Sequence, residues 1–313
     1  MLPLFDQALD SRLETSPGYL ETLAHTFCAD GRTGFFEVET GPGQALVLFY
    51  LGGKMALALQ VGPGGTQTLS ITEIGQGWAT ASAGLRIVEA PGVALRTAWQ
   101  ALEWGPPAPP QNLTPAQLHE LLAEMQNKAL SGLVRLQSDD TDGFWLVEGG
   151  VRVGGEEIYA TARGFSPGPT PQGGGSGAGR LSFFPQPPES PSGRMLQLRL
   201  AATSWFNATL EGYRNMAGQN LLLSLGYDIN SLSRRKRLDF HLAGQALLDR
   251  NFFPQPQEAC AAYQALARGI SVHVSQVIGT GLTRRLFSQA SQRLAPARQA
   301  LLAQAGFQPE SAL

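Results

Sequence analysis

The strongest constraint on the fold is a pattern that occurs twice along the chain. Residues 33–56 read TGFFEVETGPGQALVLFYLGGKMA, and residues 131–153 read SGLVRLQSDDTDGFWLVEGGVRV. Each stretch contains a Gly, an apolar run, a polar or Gly/Pro-rich break, a second apolar run and a Gly-Gly pair. Apolar residues at alternate positions on both sides of a break predict an antiparallel hairpin with one buried face. Two such hairpins predict two copies of one module.

A helix is predicted before each hairpin. Ahead of the first, apolar residues recur at helical spacing until Asp30-Gly31 ends the pattern. Ahead of the second, Thr114 is placed to cap a helix that has Pro115 at its first position. The apolar faces of these two helices are formed by Tyr19, Leu20, Leu23 and Phe27 and by Leu118, Leu121, Leu122 and Met125. The predicted order is helix and then hairpin, twice.

Each copy is also predicted to close with a helix that carries a buried Trp. Thr97-Ala98-Trp99 and Thr203-Ser204-Trp205 both stand at the start of apolar-periodic segments, at comparable distances downstream of the hairpins. Strand signals vanish from Ser204 onward, and turn residues divide the remainder into predicted helices at 204–225, 233–250, 257–294 and 296–305.

The predicted fold class is therefore α+β, with a tandem duplication followed by an all-α region. The first helix-plus-antiparallel-hairpin domain is expected at 1–105, and the second at 112–203. A Pro-rich linker is expected at 106–111 and a flexible Gly/Pro loop at 166–179, because Pro and Gly disfavour regular structure. A C-terminal all-α helical domain is expected at 204–313.

Composition limits the classes of function. The net charge is -2 and charged residues make up 15% of the 313 residues, so the chain has no global basic field that would collect nucleic acid. The N-terminal sequence lacks the pattern of a signal peptide, and 18 consecutive apolar residues occur nowhere. Cys28 and Cys260 are far apart, so a disulfide framework is not expected. A cytoplasmic protein without a membrane segment is predicted.

No motif in the sequence indicates catalysis. The four histidines fall in four different predicted helices without metal-ligand spacing, and no Gly-x-Ser-x-Gly elbow is present. The Gly-rich segments at 62–66 and 173–179 lack the Gly-Lys-Ser/Thr of a phosphate loop. Asp139, Asp140 and Asp142 concentrate oxygen ligands of the kind calcium prefers, although a solvated turn is the favoured interpretation. We therefore expect no metal, no cofactor and no enzyme activity, with an enzyme of unrecognised site as the third alternative.

The most distinctive polar feature is the cluster Arg234-Arg235-Lys236-Arg237, named here the basic cluster. It follows Ser233 at the predicted start of a helix, where cations oppose the helix dipole and would require an anion. Nucleic-acid phosphates, an acidic partner surface or acidic residues of the hairpin domains are candidates for that anion. An exposed or internally paired face is the plainer interpretation, and Arg284-Arg285 would extend the patch.

The segment Leu51-Gly52-Gly53-Lys54-Met55-Ala56-Leu57-Ala58 resembles the hairpin of the bacterial PATAN-type domain, a module found in signalling and motility proteins. The family has a Gly near the start of its first strand, a Gly-Lys-apolar turn into the next strand and an Ala that closes it. Gly34, Gly53, Lys54 and Ala58 fit this pattern. In the second copy Gly132 and Gly150 fit, Arg152 stands near the Lys position, and Gly155 replaces the Ala. The resemblance implies a non-enzymatic interaction module.

The expected function is thus that of a cytoplasmic adaptor in bacterial signalling or regulation, which binds a protein partner. The alternative is a nucleic-acid-binding protein that uses the basic cluster.

Overall fold

The computed structural model describes residues 5, 12–14, 17–70, 72–74, 84–105, 111–138, 141–161, 164–168, 179–187 and 189–309. Most of the predicted Pro-rich linker and of the predicted Gly/Pro loop lies outside these residues, as do Asp139 and Asp140. The described chain combines helices with antiparallel sheets and has a helical C-terminal region. It divides into two compact units, residues 1–192 and 193–313. The predicted division into three domains stays a prediction.

The described residues of the first half of the N-terminal unit form helices and antiparallel strands. They follow the chain as β1 (Arg12–Glu14), α1 (Pro17–Ala29), β2 (Gly34–Gly41), β3 (Gln44–Leu51), β4 (Lys54–Gly62), β5 (Gly65–Thr68), β6 (Gly84–Glu89) and α2 (Gly92–Glu103). The predicted first helix and first hairpin, α1 and β2–β3, are confirmed.

The second half of this unit contains one helix and six strands. They are β7 (Gln111–Leu113), α3 (Pro115–Asn127), β8 (Gly132–Gln137), β9 (Asp142–Glu148), β10 (Val151–Thr161), β11 (Gly164–Pro167) and β12 (Gly179–Pro185). The predicted cap is confirmed: Thr114 precedes α3, and its hydroxyl and the side chain of Gln117 form a capping box. Gln111, expected in the linker, is the first residue of a strand.

The two antiparallel sheets have the same strand order. One runs β1-β6-β2-β3-β4-β5, and the other, read from its β7 edge, runs β7-β12-β8-β9-β10-β11. In each sheet the predicted hairpin forms the centre, and the short strand that precedes the helix lies at an edge. Each hairpin packs one face against the helix before it, so that Phe36 and Leu48 surround Phe27 of α1 while Val134 and Trp145 surround Met125 of α3.

The Gly-Gly pair of each module touches the end of the preceding helix. The amide of Gly53 donates to the carbonyl of Arg32 at 2.8 Å, and the amide of Gly150 donates to that of Leu130 at 2.7 Å. Both glycines have positive φ angles, +77° and +80°. A Cβ at Gly53 would lie 2.2 Å from the carbonyl oxygen of Cys28, and one at Gly150 would lie 2.3 Å from the Cα of Gln126. Only glycine permits this approach of two backbones.

The other faces of the sheets are joined by α2. This helix is buried from Val93 to Ala101 and packs against β2 and β5 of one sheet and β8 and β10 of the other. Its buried Arg96 forms an ion pair with Glu156 of β10 at 3.1 Å. The ring of Phe5 packs 4.9 Å from the ring of Phe144, and its carbonyl accepts from Arg86. A polar link and an aromatic contact therefore connect the two halves of this unit.

Asp142 is neither a calcium ligand nor part of a solvated turn. It begins β9 with its side chain fully buried, and its two carboxylate oxygens accept from Nε and Nη2 of Arg135 at 2.8 Å and 2.7 Å. The guanidinium also lies over the ring of Phe144, 5.4 Å from its centroid. The expectation of a solvated Asp142 is wrong because the cross-strand Arg135 compensates the cost of burying the carboxylate.

Strand register changes the comparison of the two hairpins with the PATAN-type pattern. Lys54 pairs with Leu51, and the corresponding pair in the second hairpin is Val151 with Glu148, so Val151 rather than Arg152 stands at the Lys position. Ala58 pairs with Leu48, three residues before Leu51 on β3. The corresponding residue of β9, three before Glu148, is Trp145, and the register shift between Arg152 and Glu157 pairs it with Glu157. Gly155 therefore does not replace the Ala.

The C-terminal unit is helical but not all-α. It contains α4 (Pro191–Ala217, whose first two residues belong to the N-terminal unit), α5 (Gln219–Lys236), β13 (Phe240–Ala243), β14 (Ala246–Asp249), α6 (Pro256–Ile278), α7 (Thr280–Arg293) and α8 (Pro296–Gln304). The helix predicted at 233–250 is wrong, because 240–249 forms an antiparallel hairpin. The helix predicted at 257–294 is interrupted at Gly279, which has a φ of +83°.

Trp99 and Trp205 are both buried but do not occupy corresponding helix positions. Trp99 lies seven residues after the first residue of α2, whereas Trp205 lies fourteen after the first residue of α4. Trp205 packs edge to face on Phe287 and donates from its indole to Ser291. The prediction of a helix that carries a buried Trp after each hairpin is confirmed, but the predicted match in the position of the two Trp residues is wrong.

The two glycines of each Gly-Gly pair should differ in how much a substitution destabilises the protein, because only the second contacts the preceding helix. Gly52→Ala and Gly149→Ala should cost only the strain of a positive φ, because no atom of the described residues lies within 4 Å of the added Cβ. We expect these changes to lower the free energy of unfolding by about 1 kcal/mol. Gly53→Ala and Gly150→Ala add a backbone clash and should cost at least about 2 kcal/mol more. Urea denaturation measures all four, and equal losses within a pair would contradict the contact.

The buried ion pair generates a second prediction. Arg135→Ala leaves the carboxylate of Asp142 buried without its main partner and should lower the free energy of unfolding by about 3–5 kcal/mol. Lys128→Ala removes the exposed ion pair with Glu124 on α3 and is the control, with an expected change below about 1 kcal/mol. Thermal and urea unfolding of both variants test this, and a small loss in Arg135→Ala would show that water solvates Asp142.

Candidate functional site

The basic cluster lies at the end of a helix, not at its start. Arg234, Arg235 and Lys236 form the last turn of α5, and Arg237 is the C-cap with a φ of +55°. Cations at a helix C-terminus interact favourably with the dipole, so the predicted electrostatic conflict is wrong. Helix stability therefore does not require an anion here.

The four side chains of the basic cluster are nevertheless available to a partner. All four are exposed, and none forms an ion pair with any residue in the described part of the chain. The turn beneath them is fixed, because buried Ser233 donates from its hydroxyl to the carbonyl of Phe240 at 2.9 Å and accepts the amide of Leu238 at its own carbonyl. The cluster is thus a set of exposed charges on an anchored turn.

Arg284 and Arg285 lie on a different helix. Both are exposed residues of α7. Helices α5 and α7 each pack against α6. The extension of the basic cluster by these two residues stays a prediction.

A groove of about 270 Å³ runs between α5 and α6. Four of its aliphatic residues, Leu225, Ile229, Leu266 and Ile270, expose at most 2% of their surface, and polar side chains lie along it. The lining residues are Leu225, Asp228, Ile229, Leu232 and Arg235 of α5 and Leu266, Gly269, Ile270, Val272, His273 and Gln276 of α6. A Cβ at Gly269 would lie 2.9 Å from Cδ2 of Leu232, so glycine at this position keeps the helices close.

Asp228 and His273 form a polar pair in the groove. The Oδ2 atom of Asp228 lies 2.6 Å from Nδ1 of His273. The Nε2 atom of His273 is buried without a hydrogen-bond partner among the described residues, and its ring packs edge to face on Tyr213 at 6.0 Å. Burial also raises the pKa of the Tyr213 hydroxyl. Because Nε2 has no exposed surface, the imidazole positions Asp228 and does not present a nitrogen to a bound molecule.

Large apolar side chains are exposed on both helices, and of these Val272 lines the groove. Leu223 and Tyr227 lie one turn apart on α5 and expose 50% and 77% of their surface, and Val272 of α6 exposes 59%. Tyr is enriched at protein interfaces because its ring supplies apolar area and its hydroxyl a polar contact. We refer to Leu223, Tyr227 and Val272 as the apolar rim.

Sequence reasoning missed both the groove and the polar pair. Asp228 and His273 are 45 residues apart, so no local spacing links them. The apolar periodicity of α5 and α6 is that of any packed helix and does not indicate which residues face a groove. His241, expected in a helix, lies in strand β13, where burial followed by the charge of Arg250 lowers its pKa.

Within the ranges that the structure describes, no three His, Cys, Asp or Glu side chains are grouped closely enough to hold a metal ion. Within the same ranges, no helix combines the length and the apolar content that a membrane crossing requires.

The position of the basic cluster reverses the expected effect of neutralising it. Replacing Arg234, Arg235 and Lys236 by Gln removes favourable charge from the end of α5 and should lower the free energy of unfolding by about 1 kcal/mol at low salt. The loss should shrink at high salt, where the dipole interaction is screened. Arg284→Gln with Arg285→Gln, in the first half of α7, is the control and should not destabilise. Urea titrations at two salt concentrations measure both effects, and a stabilised triple variant would contradict the placement.

Comparison of the chain with models of protein families, with curated proteins and with solved structures finds no match.

Proposed function

We propose that this protein is a non-enzymatic, cytoplasmic adaptor of bacterial signalling or regulation, which binds a protein partner through the α5–α6 face of its C-terminal unit. The apolar rim carries the proposal. Leu223 and Tyr227 lie one turn apart on α5 and expose large apolar surfaces, as does Val272 of α6. Grouped apolar side chains with a polar surround are typical of protein interaction sites.

We further propose that the N-terminal unit arose by tandem duplication of a PATAN-like module. The common strand order supports this interpretation. So do the paired contacts of the turns, in which Gly52 donates to the hydroxyl of Thr33 and Gly149 to that of Ser131, both at 2.9 Å. The second copy has Val151 at the position that Lys54 occupies in the first, so any partner contact by that lysine belongs to the first copy alone.

Nucleic-acid binding by the basic cluster is the second candidate. Four exposed cations without carboxylate partners among the described residues favour it. Their position at a helix C-terminus is an argument against nucleic-acid binding, because the helix dipole already stabilises the four charges there. Four cations would give a salt dependence of about three to four units of slope on double-stranded DNA.

The adaptor proposal is tested by replacing Leu223, Tyr227 and Val272 with Ser in the full chain. Partners recovered from the native host by the wild type should be reduced at least tenfold with the variant, because the lost side chains are the exposed apolar contacts. Quantitative affinity purification measures this reduction. Calorimetry with the purified partner should then show an increase in Kd for the variant.

Val151→Ser is the matched control, because Val151 exposes 59% of its surface on β10 and lies outside the α5–α6 face. Unchanged partner binding by the triple variant would refute the adaptor site. Tight nucleic-acid binding by the wild type that falls steeply with salt and disappears after neutralisation of the basic cluster would favour the second candidate.

A further inference from the structure

The turn between α4 and α5 has the same structure as the turn between α6 and α7. A single glycine forms each, Gly218 in the first and Gly279 in the second, with φ angles of +92° and +83°. The amide of each glycine donates to the carbonyl four residues before it, at 2.8 Å and 3.0 Å. The carbonyl of each glycine accepts the amide four residues after it, at 3.3 Å and 3.1 Å. The chain therefore forms the same helix–glycine–helix corner twice.

Both corners expose large apolar side chains at the same two positions. Two residues before the glycine stand Met216 and Val277, which expose 47% and 39% of their surface. Three residues after it stand Leu221 and Leu282, which expose 36% and 48%. Equivalent positions thus carry the same class of exposed side chain, and we refer to these four residues as the corner patch.

Each residue of the corner patch extends a buried apolar stripe of its helix. Residues three or four apart lie on the same face of a helix. One such step away from the glycine leads from each patch residue to a residue that exposes at most 3% of its surface. These inner residues are Tyr213, Leu225, Val274 and Leu286. The apolar stripe of each helix therefore continues past its buried part and ends uncovered.

Contacts between the helices bring the two corners to the same side of the C-terminal unit. The ring of Tyr213, five residues before the first glycine, packs 6.0 Å from the ring of His273, six residues before the second. A Cβ at Gly212, six residues before the first glycine, would lie 2.4 Å from Cδ1 of Leu286, seven residues after the second. Both corners therefore lie within about two helical turns of shared contacts.

No charged residue interrupts the surface around the corner patch. The segments 215–227 and 269–283, which contain both corners, have no Asp, Glu, Lys or Arg, although such residues make up 15% of the chain. Exposed Asn215, Gln219 and Thr280 supply uncharged groups that both donate and accept hydrogen bonds. Such a surface is complementary to a copy of itself, because no like charges meet when two copies face each other.

The lack of charge favours a second copy over a different protein. Surfaces that select another protein usually carry charges that steer and orient it. The cations of α5, by contrast, lie in its last turn, at the end away from the corner. Interfaces between copies of one chain are more apolar than other interfaces, and charged residues are depleted at their centre.

We propose that the corner patch is the centre of a twofold interface between two copies of this chain. In such an interface the same residues of both copies meet, so each apolar stripe that ends uncovered is covered by the second copy. The proposal uses different residues from the apolar rim and goes beyond the adaptor function, on which it does not depend.

The test measures the mass of the full chain by sedimentation velocity over a range of concentrations. The wild type should form dimers as the concentration rises. Met216→Gln with Leu282→Gln removes apolar contacts at both corners and should raise the Kd of the dimer at least tenfold. Val151→Gln is the control, because Val151 exposes 59% of its surface but lies in the N-terminal unit, and it should dimerise as the wild type does.

An exchange of charge tests whether the corner patch meets its own copy. Met216→Glu with Leu282→Glu places like charges across the interface and should abolish the dimer, as should Met216→Lys with Leu282→Lys. A mixture of these two variants should associate again, and salt should weaken that association. The substituted side chains are exposed, so each variant should keep its fold, which thermal unfolding verifies.

The outcomes separate this interface from other occupants of the corner patch. A wild type that stays monomeric at every concentration, dimers that survive the Gln substitutions, or oppositely charged variants that do not associate would refute the proposal. A monomer that loses its natural partner on the Gln substitutions would identify another protein as the occupant. Binding of the wild type, but not of the Gln variant, to uncharged lipid vesicles would identify a membrane surface. The apolar-rim variant tests the adaptor site separately, so either proposal can fail alone.

Discussion

Each half of the N-terminal unit depends on a contact between two stretches of backbone that only glycine allows. Gly53 and Gly150 bring the second hairpin turn against the end of the helix that precedes the hairpin, with no room for a Cβ. This contact fixes the helix at one end of the central strands, so that its apolar face covers the sheet. A Gly-Gly pair, which on its own indicates only a turn, is here a packing element.

The second constraint on this unit is the cost of burying polar groups in α2. The helix lies between two sheets, and the charge of its buried Arg96 is paired with Glu156 of the second sheet. Arg135 and Asp142 meet the same requirement inside that sheet. Such pairs cost desolvation energy and stabilise little in total, but removing one partner is expensive. The Arg96–Glu156 pair therefore specifies which strand meets α2 more than it strengthens the fold.

The sequence predicted features that rest on local physics and missed those that rest on distant contacts. Alternating apolar residues identified the central hairpins, and Thr114 identified the start of α3, because each signal lies within a few residues. The hairpin at 240–249 was missed because FHLAGQALLD also fits a helical pattern. Asp142 was assigned to solvent because its partner Arg135 follows from strand register, which composition does not reveal. The groove and the Asp228–His273 pair lacked any local signal.

The position of one helix end changes what four cations imply about function. At a helix start they would destabilise the chain, and an anion would be needed to offset that cost. At the end of α5 they are compatible with the free protein, so the surface beside them decides which partner they suit. The same helix exposes Leu223 and Tyr227, whereas four aliphatic residues of the groove that Arg235 lines are buried. A partner that contacts both the cations and these exposed side chains needs an acidic and an apolar surface, whereas an isolated basic patch would attract any polyanion.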